Sequence, residues 1–206
     1  MKVLVIGGGG REHVLAWALA RDSRKPFLFI APGNAGTAGL GTNLPIDSDD
    51  VGGLLKWAHK EIPDLTVVGP EAPLCAGIVD RFQAEGFRIF GPSQAAARLE
   101  GSKAFAKEVM RAGDVPTAWA TRFTELDPAL ACVRERGAPI VIKADGLAAG
   151  KGVTVATSIG EAEAALRQAL EKGVFGEAGS SVLVEECLEG EEASILGLVD
   201  GSRVEL

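Results

Sequence analysis

The chain has 206 residues, 47% of them hydrophobic, and a net charge of −7, enough apolar material for a core in one large domain or two small ones. The acidic balance argues against broad nucleic-acid binding, which leans on basic surface, and leaves room for a local basic pocket around one anionic ligand. Cys75, Cys132 and Cys187 form no CxxC, and with His13 and His59 they make no zinc pattern; the apolar run in "MKVLVIGGGG" is too short for a signal peptide, and no stretch approaches the roughly 18 apolar residues of a membrane span, so a cytoplasmic protein without a membrane partner is expected.

In chain order, "KVLVI" (2–6) predicts a buried strand and "REHVLAWALARD" (11–22) a helix with Val14, Leu15, Ala18 and Leu19 on one face. "PFLFIAP" (26–32) predicts the next strand. "SDDVGGLLKWAHKEI" (48–62) predicts a helix capped by Ser48 or Asp49, with Gly52–Gly53 as a weak spot. "DLTVVGP" (64–70) and "FRIFGP" (87–92) are further strands, with a helix in "LCAGIVDRFQAEG" (74–86) between them. Strand and helix in alternation imply a parallel sheet covered on both faces. Each strand runs into a Gly or Pro-Gly loop: "GGGGRE", "APGNAG", "VGPEAP", "FGPS". Open parallel sheets bind ligands at the carboxyl ends of their strands, so four such loops would build one site; the alternative is that Gly and Pro only stop strands.

After Gly101 the pattern changes. "SKAFAKEVMRAGDVPTA" (102–118) predicts a helix ending near Gly113. "PIVIKA" (139–144), "GVTVAT" (152–157), the helical "SIGEAEAALRQALEKG" (158–173) and "SVLVEECL" (181–188) predict a second, smaller α+β unit. "ASILGLVDGSRVEL" (193–206) predicts a strand, an Asp-Gly turn and a second strand left with an unpaired edge, as in an interrupted domain. The expected division is 1–101 and 102–206.

Gly7 and Gly9 fit a GxGxxG dinucleotide fingerprint, but Glu12 stands at its third glycine, and no ribose-binding acid follows the second strand. A single phosphate at the helix N-terminus fits better, met by the backbone N–H groups of Gly8 to Arg11 and the Arg11 side chain. Arg11 can equally be a surface or domain-bridging charge. "KADGLAAGKGV" (143–153) has the wrong spacing for a Walker A loop and precedes a β-rich stretch. It is either a long hairpin turn or a lid over phosphates. Lys143 and Lys103 are placed to meet phosphates, or are solvated lysines. In "VEECLEGEE" (184–192), Glu185, Glu186, Glu191 and Glu192 surround Leu188; such clusters are usually solvated, but this one ends a buried strand, where a carboxylate can accept from an adenine amine or ribose hydroxyl.

Together "GGGGREH", "APGNAGT", "VGPEAPL", "FGPS", "LEGSKAFAK", "GAPIVIKADGLAAGKGV" and "VEECLEGEEAS" resemble the phosphoribosylamine–glycine ligase family of purine biosynthesis, within the ATP-grasp superfamily. The resemblance implies an α/β fold: an N-terminal, Rossmann-like parallel-sheet domain, then an ATP-grasp domain with its lid near 120–190. It implies that ATP, glycine and 5-phosphoribosylamine give glycinamide ribonucleotide, ADP and phosphate through a glycyl phosphate. It places Gly9, Gly10, Arg11, Glu12, Asn34, Gly36 and Glu71 on phosphoribosylamine. Lys103 and Lys143 would meet the ATP phosphates, with Lys143 the catalytic group. Residues 145–152 would form the lid, with Asp145, Gly146, Gly150, Lys151 and Gly152 on the nucleotide. Glu185 and the backbone of Glu186 and Leu188 would meet adenine, and Glu192 the ribose.

The family commonly has a non-glycine residue where Gly8 stands, which should not remove the site. Ligands for Mg²⁺ or Mn²⁺ and much of the glycine site would lie beyond residue 206, so these residues alone, a monomer without nucleic-acid partners, are expected to lack ligase activity. The rivals are another ATP-grasp carboxylate–amine ligase, without "GNAG" and "GPEAPL", a non-catalytic module binding a nucleotide or sugar phosphate, and a dehydrogenase, already weakened by Glu12.

Overall fold

The computed structural model describes residues 1–148 and 150–205; Ala149, inside the expected lid, and Leu206, at the end of the expected second domain, lie outside the described residues. Five strands, β1 (Lys2–Gly7), β2 (Phe27–Pro32), β3 (Thr42–Asn43), β4 (Leu65–Val68) and β5 (Ile89–Phe90), form a wholly parallel sheet in the order β3-β2-β1-β4-β5. β1 is central because it is apolar on both faces. Val3, Leu4, Val5 and Ile6 are all fully buried. Alternation along the strand sends Leu4 and Ile6 to one face and Val3 and Val5 to the other.

The first face is covered by α2 (Val51–Glu61), α3 (Glu71–Cys75), α4 (Ile78–Ala84) and α5 (Gln94–Gly101), which contribute Leu54, Leu74, Ile78, Phe82 and Ala97 to its core. The second is covered by α1 (Gly10–Ala20), chiefly through Ala16.

Several elements differ from the sequence expectation. The buried face of α1 carries Glu12 and Ala16, not Val14, Leu15 and Ala18; Val14 is 63% exposed. The phase is set at the helix start, where Glu12 turns inward, and Ala16 one turn later is small enough for close approach to the sheet. The cap of α2 is Asp50, which accepts from Gly53 N–H at 2.8 Å. The single helix expected over 74–86 is two, because Gly77 takes a left-handed conformation (φ 80°) between α3 and α4.

The second unit begins with α6 (Lys103–Ala112), then β6 (Ala120–Phe123), α7 (Leu126–Arg136), β7 (Ile140–Ala144), β8 (Val153–Ala156), α8 (Ile159–Leu166) and β9 (Val182–Glu186). Its sheet is antiparallel, in the order β6-β9-β7-β8. Helices α7 and α8 bury Ala129, Leu130, Val133, Ala162 and Leu166 against one face. β6 and α7 fill a stretch the sequence reading left unassigned. Pro128 is harmless in α7 because it lies in the first turn, where N–H groups have no intrahelical partner. β10 (Leu198–Val199) and β11 (Val204–Glu205) form the expected hairpin about Asp200–Gly201.

Phe82 is the largest fully buried side chain of the parallel-sheet core. Phe82→Ala is expected to lower unfolding stability by about 3–5 kcal/mol in urea titration.

Candidate functional site

The loops after β1, β2 and β4 meet at the carboxyl edge of the parallel sheet, tied by hydrogen bonds. Gly33 N–H donates to the Gly7 carbonyl at 3.2 Å, and Asn34 Nδ2 to the Gly8 carbonyl at 3.0 Å. Asn34 Oδ1 accepts from the N–H groups of Gly36 (2.8 Å) and Thr37 (3.1 Å), so the side chain expected on a substrate is here a brace between two loops. Gly36 lies against the His13 ring, where a Cβ would collide.

Glu12 is 3% exposed, and its Oε2 accepts the Gly9 N–H at 2.7 Å. One of the donors expected for a phosphate is therefore committed to the helix cap. The carboxyl group occupies the space left by Gly7 and Gly69, where a Cβ would meet it. Its Oε1 has no hydrogen-bond partner among the described residues. Glu12 thus holds the glycine loop from beneath, while Gly10 and Arg11 keep their place at the N-terminus of α1.

Arg11 reaches from α1 to Glu71 in the first turn of α3, Nη2 to Oε1 at 2.6 Å. The pairing raises the Arg11 pKa. For Glu71, burial alone would raise the pKa, but its backbone hydrogen bond and the Arg11 guanidinium outweigh that and hold the carboxyl below its ordinary 4.5.

The second unit contributes charges from three elements. Lys143, near the end of β7, and Lys107, on α6, both pair with Glu185 of β9, one with each carboxylate oxygen. Lys107 is 9% exposed and also donates to Thr117 Oγ1 at 2.7 Å and the Ala118 carbonyl at 2.9 Å. Lys103, one turn earlier on α6, donates to the Gly146 carbonyl at 3.0 Å. Burial lowers its pKa, and Asp145 and Glu100 offset only part of that.

These groups share one cleft of about 880 Å³, lined by Arg11, Glu71, Glu100, Lys103, Lys107, Lys143 and Glu185, with Gly150 and Gly152 at its rim. Four cations face three carboxylates in a chain whose net charge is −7. A polyanion is the complement of such a lining.

Other expected residues lie elsewhere. The Asp145 carboxylate is buried within the protein, accepting from Ser102 Oγ (3.0 Å), Ala104 N–H (2.9 Å) and Ser181 Oγ (2.9 Å). Gly146 N–H donates to the Ala178 carbonyl. Lys151 lines a separate hollow with Gln168 and Phe175. Glu186 accepts from Trp119 N–H through Oε2, and its own N–H donates to the Trp119 carbonyl. Leu188 is 67% exposed, and Glu192 is also exposed; neither lines the cleft.

The sequence reading missed Lys107 and Thr117. The signal for Lys107 was its spacing: it follows Lys103 by four residues, on the same side of a helix whose buried face also carries Ala104.

Two outcomes follow from this geometry. Gly69→Ala should displace the Glu12 carboxylate and cost about 1–3 kcal/mol in chemical denaturation, part of it recovered when Glu12→Ala is added. The Arg11–Glu71 pair is partly exposed, so its contribution is below about 1 kcal/mol. Because the folded Glu71 pKa is depressed, that contribution is present above 4.5 and lost as pH falls through the lower folded value. The melting-temperature difference between the unaltered chain and Glu71→Gln should be constant between about pH 6 and pH 8 and shrink below about pH 4.

Comparison with known proteins agrees with this architecture. A family model described as "Phosphoribosylglycinamide synthetase, N domain" matches residues 1–100, and one described as "Phosphoribosylglycinamide synthetase, ATP-grasp (A) domain" matches residues 101–206. A phosphoribosylamine–glycine ligase of Xanthomonas campestris is 58% identical over 204 residues, covering 98% of this chain and 47% of the relative. The crystal structure of a phosphoribosylamine–glycine ligase from Thermotoga maritima superposes with a TM-score of 0.79 at 33% identity, covering 99% of this chain and 48% of that one. The biotin carboxylase domain of a Hydrogenobacter thermophilus 2-oxoglutarate carboxylase shares the fold at 18% identity, with a TM-score of 0.72 over 91% of this chain and 44% of that one. The chain spans about half the length of the curated relatives it matches. With the two family models matching end to end, the chain belongs to the phosphoribosylglycinamide synthetase family.

Proposed function

We propose that this chain supplies the phosphoribosylamine site and most of the nucleotide site of a ligase that joins glycine to 5-phosphoribosylamine in purine biosynthesis, with ATP giving ADP and phosphate. The observation that carries this reading is the single cleft lined by Arg11 and Glu71 from the parallel-sheet loops and by Lys103, Lys107, Lys143 and Glu185 from the second unit. A sugar phosphate at one end and a nucleotide at the other would be held side by side, which is the arrangement a two-substrate transfer needs.

In this reading a glycine carboxylate oxygen attacks the γ-phosphorus of ATP and ADP departs, leaving glycyl phosphate. The amine nitrogen of phosphoribosylamine then attacks the acyl carbon. Phosphate leaves with its bonding pair, and the nitrogen loses a proton. The residues act mainly by position and charge. Lys143 and Lys103 would take the transferring phosphates, Lys103 giving up the Gly146 carbonyl to do so. Arg11 and the N–H groups of Gly10 and Arg11 would meet the ribose 5-phosphate, with Glu71 accepting from a sugar hydroxyl. Gly9, Glu12, Asn34 and Gly36 would shape that end by bracing the loops. The stretch 145–152 would close over the nucleotide and keep water from the acyl phosphate.

ATP-grasp chemistry uses a divalent metal. Among the described residues no three His, Cys, Asp or Glu side chains are grouped to hold one, and Mg²⁺ or Mn²⁺ ligands would come from outside these residues. No helix of the described residues is long and apolar enough to cross a membrane. The reading is of a cytoplasmic monomer acting on small molecules.

The test is glycine-dependent ADP formation with freshly made phosphoribosylamine and Mg²⁺, on this chain and on one extended by the second half its relatives carry. Turnover in the extended chain alone is the expected result. Glycine-dependent turnover by neither would overturn the assignment.

A further inference from the structure

Lys107 is a buried lysine in a site where the obvious phosphate-facing lysines are Lys103 and Lys143. The Lys107 ammonium donates to Thr117 Oγ1 and the Ala118 carbonyl, and its charge is paired with Glu185 Oε1. Although it borders the cleft, its recorded contacts all lie within the protein. Lys143 is in a different position. It holds the other oxygen of Glu185, and it stands more open to the cleft, at 30% side-chain exposure against 11% for Lys107.

Glu185 itself is 4% exposed. A buried carboxylate needs a lasting cationic partner, because an unpaired charge out of water is strongly unfavourable. If Lys143 leaves Glu185 for the phosphates, only Lys107 remains to balance it. Oε2 is then released, in an orientation that Lys107 fixes, to accept a hydrogen bond from a ligand. An exocyclic amine at that point would be received. A carbonyl oxygen would face carboxylate lone pairs and be refused.

We infer that Lys107 is a positioning residue for base selection: anchored by Thr117 and Ala118, it is the permanent counter-charge that holds Glu185 as an acceptor for an aminopurine and against an oxopurine. The inference rests on the nucleotide-binding part of the proposed function. Lys107 is not a catalytic residue in this scheme, since it touches neither substrate nor reacting atoms.

The test is calorimetric titration of this chain with ATP and with GTP, for the unaltered protein and for Lys107→Met, Glu185→Gln and the double variant, each checked for folding by its thermal transition. The unaltered chain is expected to prefer ATP. Lys107→Met should reduce that preference by about tenfold or more, the scale of a hydrogen bond to a charged group. In the Glu185→Gln background the same substitution should leave the preference unchanged, since its effect passes through Glu185. The double variant removes both charges together, so the comparison survives if Lys107→Met alone fails to fold: with Glu185→Gln alone already at low preference, the double must match it. Retention of full ATP preference in Lys107→Met, or an equal further loss in the Glu185→Gln background, would overturn the inference and leave Lys107 a structural lysine. Binding of neither nucleotide by the unaltered chain would instead overturn the nucleotide reading on which it rests.

Discussion

Asp145 accepts hydrogen bonds from two segments, and a cation from a third closes on it. Oδ1 takes the Ser102 hydroxyl and the Ala104 N–H, which belong to the start of α6, and Oδ2 takes the Ser181 hydroxyl just before β9. Arg122 of β6 approaches the same oxygen at 3.4 Å. A carboxylate at a helix N-terminus satisfies orphan N–H groups and lies favourably in the helix dipole. Here it also comes from a distant segment, so capping α6 fixes where α6 sits on the second sheet. Lys103 and Lys107 arrive opposite Lys143 and Glu185 as a result. The cleft between the two sheets is held at this joint, with the Lys103 N–H bonding the Asp145 carbonyl as well.

The charges that the joint assembles are not of one kind. Lys107 and Glu185 are desolvated and mutually committed, and removing one would strand the other. Arg11 and Glu71 are partly solvated and held by a single close contact, so the pair can open at small cost. Lys103 is held only by backbone carbonyls, and its lowered pKa records burial without a close carboxylate partner. The cleft therefore grades from a fixed ion pair, through a lysine with one borrowed carboxylate oxygen, to cations that can be taken up by an incoming anion. That gradient separates side chains committed within the protein from those whose partners are readily exchanged.

Much of the fold was legible. The apolar runs named four of the five strands of the parallel sheet, missing the two polar residues of β3, and their alternation with helices gave its topology class, because a strand buried on both faces leaves a continuous hydrophobic run. What failed were places where a tertiary contact set the local geometry. The face of α1 could not be read from its apolar residues, because Glu12 turns inward and takes a core-facing position. α7 did carry a helical signal, Leu126, Ala129, Leu130 and Val133 at i, i+3, i+4 and i+7, which the sequence reading passed over; β6 is a short, half-exposed strand, and Trp119, half buried against the core of the second sheet, does its packing outside it. Of the residues that line the cleft, residue type and position singled out Arg11, Lys103, Lys143 and Glu185, while Glu71 entered only through the family resemblance. Residue type could not separate Asp145, which clamps, from residues that line the cleft, since an aspartate in a glycine loop reads the same either way.

Glycine density was the feature that first pointed to phosphates, and the structure divides its meaning. At Gly7 and Gly69 the missing side chain makes room for Glu12, and at Gly36 for His13. These glycines serve packing beneath the loop rather than contact above it. Gly10 has open space where a Cβ would stand, at the start of a helix whose dipole favours an anion. The loop can come close to an anion because its under-surface is filled by one buried carboxylate that is kept away from it. Glu12, which argued against a dinucleotide when read as a would-be ligand, is in place the buried residue that holds the glycine loop from beneath.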